Sequence, residues 1–251
     1  MRSFLFLFAY VIKKQYLCGM KQYKAIFLDW DDTIGDWQGA EHRALRELYV
    51  LYGLETLYPT FEDYLAAYKP YNLELWGMYG RGEVSKQELH FKRFYKPIER
   101  LAMSDERIRE LAHEMGALFL ELTNRYFSVL PGAAEVVRSL SKRYPLTIVS
   151  NGFCEVQYYK LEHSGLKECF THFLVSDEIG INKPQPGIFN IALERNGVSA
   201  DEAIMIGDSY SSDIQGAKNA GIDQIWLHQG PTDETATYIV PRLQDVLPIL
   251  A

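Results

Sequence analysis

Asp29 and Asp31 stand one residue apart, directly after the apolar run Ala25-Ile26-Phe27-Leu28. Carboxylates in that position can act as nucleophile, as general acid/base or as ligands of a hard cation. Three further polar clusters are placed in a comparable way: Ser150-Asn151-Gly152 after Ile148-Val149, Asn182-Lys183-Pro184-Gln185-Pro186 ahead of a helical stretch, and Gly207-Asp208-Ser209-Tyr210-Ser211-Ser212-Asp213 after Ile206. Each has an ordinary reading when taken alone. Asp, Asn and Ser are common turn and cap residues, Pro186 suits a first helical position, and a single lysine is usually solvated. Together they supply two or three carboxylates for a cation, a nucleophile, an acid and groups able to hold phosphate.

Such a set works only if one scaffold edge collects it. Residues 25–28 form a short continuous apolar run, as expected for a buried parallel strand. Between 38 and 127 the pattern is helical, with segments over 38–52, 60–79, 84–101 and 104–127 and breaks at Gly53, Pro59, Gly80 to Gly82 and Pro131-Gly132. After Pro131, helices over 133–143, 154–163, 186–195 and 213–220 alternate with strands over 146–149, 172–175, 203–206 and 224–227. Alternation of this kind predicts an α/β fold, a Rossmann-like three-layer core with a parallel sheet and an inserted all-helical domain. The boundaries read from the pattern are a core of 20–36 and 129–251 with the helical insertion at 37–128. In open α/β sheets, ligands bind beyond the carboxyl ends of the strands, which is where the polar clusters fall.

Composition limits the alternatives. The chain has 251 residues, 47% of them apolar, and carries 26 Lys and Arg against 33 Asp and Glu, a net charge of −7. No basic surplus points to a nucleic-acid polymer or an anionic membrane. Cys18, Cys154 and Cys169 form no C-x-x-C, and neither G-x-x-x-x-G-K-[ST] nor G-x-S-x-G occurs. The apolar stretch at 4–12 is far shorter than the roughly 20 residues a membrane span needs, and Lys13 and Lys14 follow it without a cleavage signature. Residues 1–19 therefore read as an N-terminal extension ahead of a working start at Met20, and the protein as cytoplasmic.

In type and order the four clusters resemble those of the haloacid dehalogenase-like (HAD) hydrolase superfamily, most of whose members are Mg²⁺-dependent phosphatases. The resemblance spans residues 25 to about 226. It implies that Asp29 is the nucleophile and Asp31 the general acid/base, and that Thr33, Ser150, Asn151 and Lys183 bind the substrate phosphate. It further implies a Mg²⁺ site drawn from Asp29, Asp31 through its carbonyl, Asp208 and, in or just outside the metal shell, Asp213. Dehalogenases of the family lack a carboxylate at the second position, so Asp31 favours phosphorus chemistry. Asp32, where many relatives carry Gly, is a departure with no catalytic task.

The superfamily places a helical cap of the C1 type where the insertion lies. Leu75-Trp76, Tyr79, Gly82, Leu89 and Arg93-Phe94 are similar to the cap pattern of the pyrimidine 5'-nucleotidases. That resemblance implies a phosphatase acting on a nucleoside 5'-monophosphate through an aspartyl-phosphate, with a small phosphorylated metabolite as partner and a monomer or homodimer as its state. A sugar-phosphate phosphatase or phosphomutase, a haloacid dehalogenase and a non-catalytic binding protein are the alternatives. The insertion's aromatics, such as Phe61, Tyr64 and Tyr68, have helical spacing and read as core packing, and Arg93 as one half of a structural ion pair.

Overall fold

The computed structural model describes residues 21–251. The reading of 1–19 as an extension lies outside the described residues. Six strands form one sheet: β1 (Ala25–Leu28), β2 (Leu146–Ser150), β3 (His172–Val175), β4 (Ala203–Gly207), β5 (Asp223–Leu227) and β6 (Tyr238–Val240). Their spatial order is β3-β2-β1-β4-β5-β6 and every pairing is parallel. Strands β1, β2 and β4 are buried along their whole length, which is why they read as unbroken apolar runs rather than as alternating ones. β6 went unread in the sequence because it is three residues long, lies at the sheet edge and has mixed burial.

The order reverses at β1, whose neighbours are β2 on one side and β4 on the other, so the crevice at its carboxyl end is the expected ligand position. Register sharpens this: Leu28 lies level with both Ile148 and Ile206, so the residues that follow β1, β2 and β4 emerge at one edge.

Contacts divide the chain into two units. The sheet unit comprises the described residues through Thr33, Gly132–Asn151 and Leu166–Ala251; the helical unit comprises Ile34–Pro131 and Gly152–Gly165. In the sheet unit, α5 (Ala133–Leu140), α7 (Ser176–Ile179), α8 (Pro186–Asn196) and α9 (Gln215–Asn219) connect the strands. Ile188, Phe189, Ala192 and Ala217 from α8 and α9 pack on Phe27, Val149 and Met205. Gly216 permits that approach, since a Cβ there would lie 2.8 Å from the Cα of Pro184 and 2.6 Å from the Phe189 ring.

The helical unit contains α1 (Trp37–Leu51), α2 (Phe61–Gly80), α3 (Lys86–Ile98), α4 (Asp105–Arg125) and α6 (Cys154–His163). Asp36, Thr60, Ser85 and Ser104 cap the first four, and Thr60 with Asp63 and Ser85 with Glu88 form reciprocal capping boxes. Their inner faces join Tyr64, Tyr68, Phe94, Met115 and Phe119 in one buried cluster, as the helical spacing of the aromatics requires.

Two readings need correction. Residues 152–165, assigned by pattern to the sheet domain, group with the helices because Phe153 and Val156 are buried with Leu75, Val84 and Leu89. Arg93 has no carboxylate partner among the described ion pairs. Its guanidinium is 2% exposed, lies 4.6 Å from the Phe119 ring centre and meets His90 Nδ1 at 2.8 Å. An arginine on the inner face of α3 is received by aromatic faces, with Tyr68 and the more distant Glu41 carboxylate favouring its charge. No described helix is long and apolar enough to cross a membrane.

Candidate active site

All eight residues singled out in the sequence belong to the sheet unit. Asp29 continues β1 by donating its backbone N–H to the Ile206 carbonyl at 2.9 Å, and the residue is 7% exposed. The chain then turns through residues 32–34. Asp32 takes a left-handed conformation with φ of 58°, strained for most L-residues but less so for Asp. The turn buries Thr33, whose hydroxyl donates a long 3.4 Å bond to Asp208 Oδ1. Asp31 is half-buried beside it.

Ser150 ends β2 and is buried. Asn151 is spent largely on the neighbouring loop: its Oδ1 accepts from the Lys183 N–H at 2.7 Å and its Nδ2 donates to the Lys183 carbonyl at 2.9 Å. One amide hydrogen remains for a ligand. The clamp acts on the residue just before a cis peptide to Pro184. Lys183 is carried inward, 4% exposed, with Nζ 2.5 Å from Asp29 Oδ1 and 2.7 Å from Asp213 Oδ1.

Asp213 arrives by a local irregularity. Residues Tyr210–Ile214 form a π-type turn in which the Ser209 carbonyl accepts from the N–H groups of both Asp213 and Ile214. The Asp213 carboxylate folds back to accept from Ser209 N–H at 3.1 Å and the Ser212 hydroxyl at 3.3 Å. It thereby reaches Gly207, where a Cβ would lie only 2.2 Å from its Oδ2. Sequence reasoning gave Gly207 no role; a glycine closing a buried strand directly before an aspartate was the available signal.

Asp29, Asp208 and Asp213 each present an oxygen, all within 4.8 Å of one another. Three carboxylates against one ammonium leave two negative charges uncompensated. The excess negative charge and the burial act on the proton affinities of these groups. Burial drives Asp29 well above the usual carboxylate range, Lys183 opposes that, and Asp213, Asp208 and Asp31 add to it. Asp208 is pushed up to about 7, by burial first and then by Asp213 and Asp32. Burial would lower the Lys183 ammonium, but Asp213 and Asp29 outweigh it and raise it.

An all-oxygen donor set with excess charge fits a hard divalent cation such as Mg²⁺. Asp29 and Asp208 fit it best, because both Asp213 oxygens are already engaged, by Lys183 and by Ser209 N–H. A phosphoryl group, in turn, could be met by Thr33, Ser150 and Lys183.

The model of the haloacid dehalogenase-like hydrolases matches residues 23–221, and the chain belongs to that family. The HAD-hydrolase YfnB of Bacillus subtilis is 32% identical over 92% of this chain and 97% of its own. Its crystal structure, bound to magnesium, superposes with a TM-score of 0.76 at 30% identity, covering 92% of this chain and 99% of that one. The pyrimidine 5'-nucleotidase PynA of Streptococcus pneumoniae is 31% identical over 91% of this chain and 95% of its own. The pyrimidine 5'-nucleotidase YjjG of Escherichia coli K12 is 29% identical over 90% and 96%.

Proposed function

We propose that this hydrolase is a Mg²⁺-dependent phosphatase that cleaves a nucleoside 5'-monophosphate of the pyrimidine series through an aspartyl-phosphate on Asp29. The observation that carries the reading is the buried Lys183 ammonium set between Asp29 and Asp213 with the Asp208 carboxylate alongside. Two relatives named as pyrimidine 5'-nucleotidases support the substrate class, each aligned over at least nine-tenths of the chain.

Bound Mg²⁺, held by Asp29 and Asp208, supplies electrophilic stabilisation of the phosphoryl oxygens and screens the incoming anion from the carboxylates. The side chains do the rest. Lys183 offsets part of the burial that would protonate Asp29, and a bound cation would add to that, favouring the carboxylate that attacks. As the Asp29 oxygen bonds to phosphorus, the bond to the nucleoside oxygen breaks and Asp31 delivers a proton to that leaving group. Asp31, now a carboxylate, takes a proton from water while the water oxygen bonds to phosphorus and the acyl-phosphate bond to Asp29 breaks. Inorganic phosphate leaves and both aspartates return to their starting states. Proton transfer by a positioned group of this kind contributes roughly 10²- to 10⁴-fold. Thr33, Ser150 and Lys183 orient the phosphoryl oxygens throughout.

The test is phosphate release from pyrimidine and purine nucleoside monophosphates and from sugar phosphates, with Mg²⁺ and with a chelator. The reading requires release that depends on Mg²⁺ and is fastest with pyrimidine nucleotides. Release confined to sugar phosphates would overturn the substrate class, and release unaffected by chelation would overturn the metal.

A further inference from the structure

Asp208 is held from two sides, and only one of them involves its carboxylate. Thr33 donates to Oδ1, whereas the backbone carbonyl of Asp208 accepts from the indole Nε1–H of Trp226 at 2.8 Å. Trp226 lies in β5 in register with Gly207, the residue before Asp208, and is 5% exposed. Its ring stacks on His228 at 4.1 Å with a 20° interplanar angle and rests against Tyr210 at 4.9 Å. The chain leaves the ladder at Asp208, where the residue before it is a glycine with no side chain to limit rotation. The indole is therefore a fixed donor that sets the orientation of the 208–209 peptide, and with it the direction in which the Asp208 side chain departs.

We propose that Trp226 is a positioning residue that sets the affinity of the site for Mg²⁺ and its preference for Mg²⁺ over Ca²⁺. The inference rests on the Mg²⁺-dependent reading above. Mg²⁺ demands near-ideal octahedral geometry at about 2.0–2.1 Å, whereas Ca²⁺ accepts flexible coordination at about 2.3–2.6 Å, so a loosened Asp208 penalises the smaller ion more. A neutral hydrogen bond contributes about 0.5–1.5 kcal/mol, which converts to roughly a 2- to 10-fold change in a dissociation constant.

The experiment is calorimetric titration of Mg²⁺ and of Ca²⁺ into the full chain, without substrate, for the parent, Trp226→Phe and His228→Leu. Trp226→Phe keeps a ring and loses the donor; His228→Leu loses the stacking partner and keeps the donor. The expected result is Mg²⁺ binding weakened about 2- to 10-fold in Trp226→Phe with Ca²⁺ binding changed less than about 2-fold, and His228→Leu within about 2-fold of the parent for both ions. Equal weakening of both ions, or none, in Trp226→Phe overturns the inference while leaving the phosphatase reading intact. A parent that binds no Mg²⁺ overturns both. If Trp226→Phe does not fold, NMR of the ¹⁵N-labelled indoles of the parent decides. A Trp226 N–H that is slow to exchange and shifts on adding Mg²⁺ supports the assignment; one that exchanges freely and ignores Mg²⁺ overturns it.

Discussion

The two units treat buried polarity in opposite ways. In the sheet unit a lysine and two aspartates at strand ends are nearly removed from water and pressed together, with a third aspartate beside them. In the helical unit Arg125–Glu121, Arg109–Asp105 and Lys92–Glu88 are exposed pairs at i,i+4 spacing, while the buried cations Arg93 and Lys160 lie against the rings of Phe119 and Trp37. Exposed pairs of this kind contribute about 0–1 kcal/mol each, so the helices owe their stability to rings such as Tyr64, Phe94 and Phe119. Buried charge works against stability unless each member is partnered, and the sheet unit concentrates it where a reaction can use it.

The sharpest way to break this contrast is to remove the nucleophile. Asp29→Asn is expected to lower turnover by about 10³-fold or more, with far-UV circular dichroism unchanged, because Lys183 keeps Asp213 as a partner. Parental rates from this variant would refute the assignment. Next comes a paired comparison by urea denaturation of chelator-treated protein. Lys183→Met strands two buried carboxylates and is expected to cost about 3–5 kcal/mol, whereas Arg125→Ala, which breaks an exposed pair, is expected to cost less than about 1 kcal/mol. Similar costs would erase the distinction between the units.

A smaller effect should appear with pH. In the metal-free protein the Asp208 carboxyl titrates near 7, against 3.8 as the ordinary value, so the folded state holds a proton that the unfolded chain has released. Metal-free stability should therefore fall as pH rises from about 4 to 7, and Asp29, raised for the same reason, acts in the same direction. Mg²⁺ binding needs the ionised carboxylate, so its affinity should strengthen as pH rises towards and through 7, with protons released, and level off above. Titrations in buffers of differing ionisation enthalpy would detect those protons; an affinity flat across this window would contradict the charge count. The smallest effect belongs to the turn after β1. Asp32→Gly relieves left-handed strain and frees the unfolded chain by similar amounts, so stability should stay within about 0.5 kcal/mol, while the β-branched Asp32→Val should lose about 1–2 kcal/mol in the same assay.

Much of this was legible before any coordinates. The apolar runs leading to Asp29, Ser150 and Asp208 mark strands because strands buried on both faces need nothing else, and Gly and Pro breaks marked the limits of the helical segments. The site residues could be picked out because four polar clusters follow one another in a recognisable order, although each alone has an ordinary structural reading. Other features carried no local signal. The Asn151 amide spans 32 residues to reach the backbone of Lys183, and the helical allegiance of 152–165 depends on what Phe153 and Val156 pack against. The aromatic reception of Arg93 is likewise a matter of neighbours from other helices.

The amino-acid sequence alone determined the longer strands and helices, the order of the four polar clusters and the chemical types they offer, since hydrophobic period and breaker residues act over a few residues. Tertiary structure decided that Asp29 and Lys183, 154 positions apart, share a hydrogen bond, that Asp213 reaches the same ammonium, and that an indole from β5 holds the Asp208 carbonyl. Those contacts follow from parallel pairing of β1 with β2 and β4, an alignment of distant segments whose free energy comes from burying whole strands together and is written in no single stretch of chain.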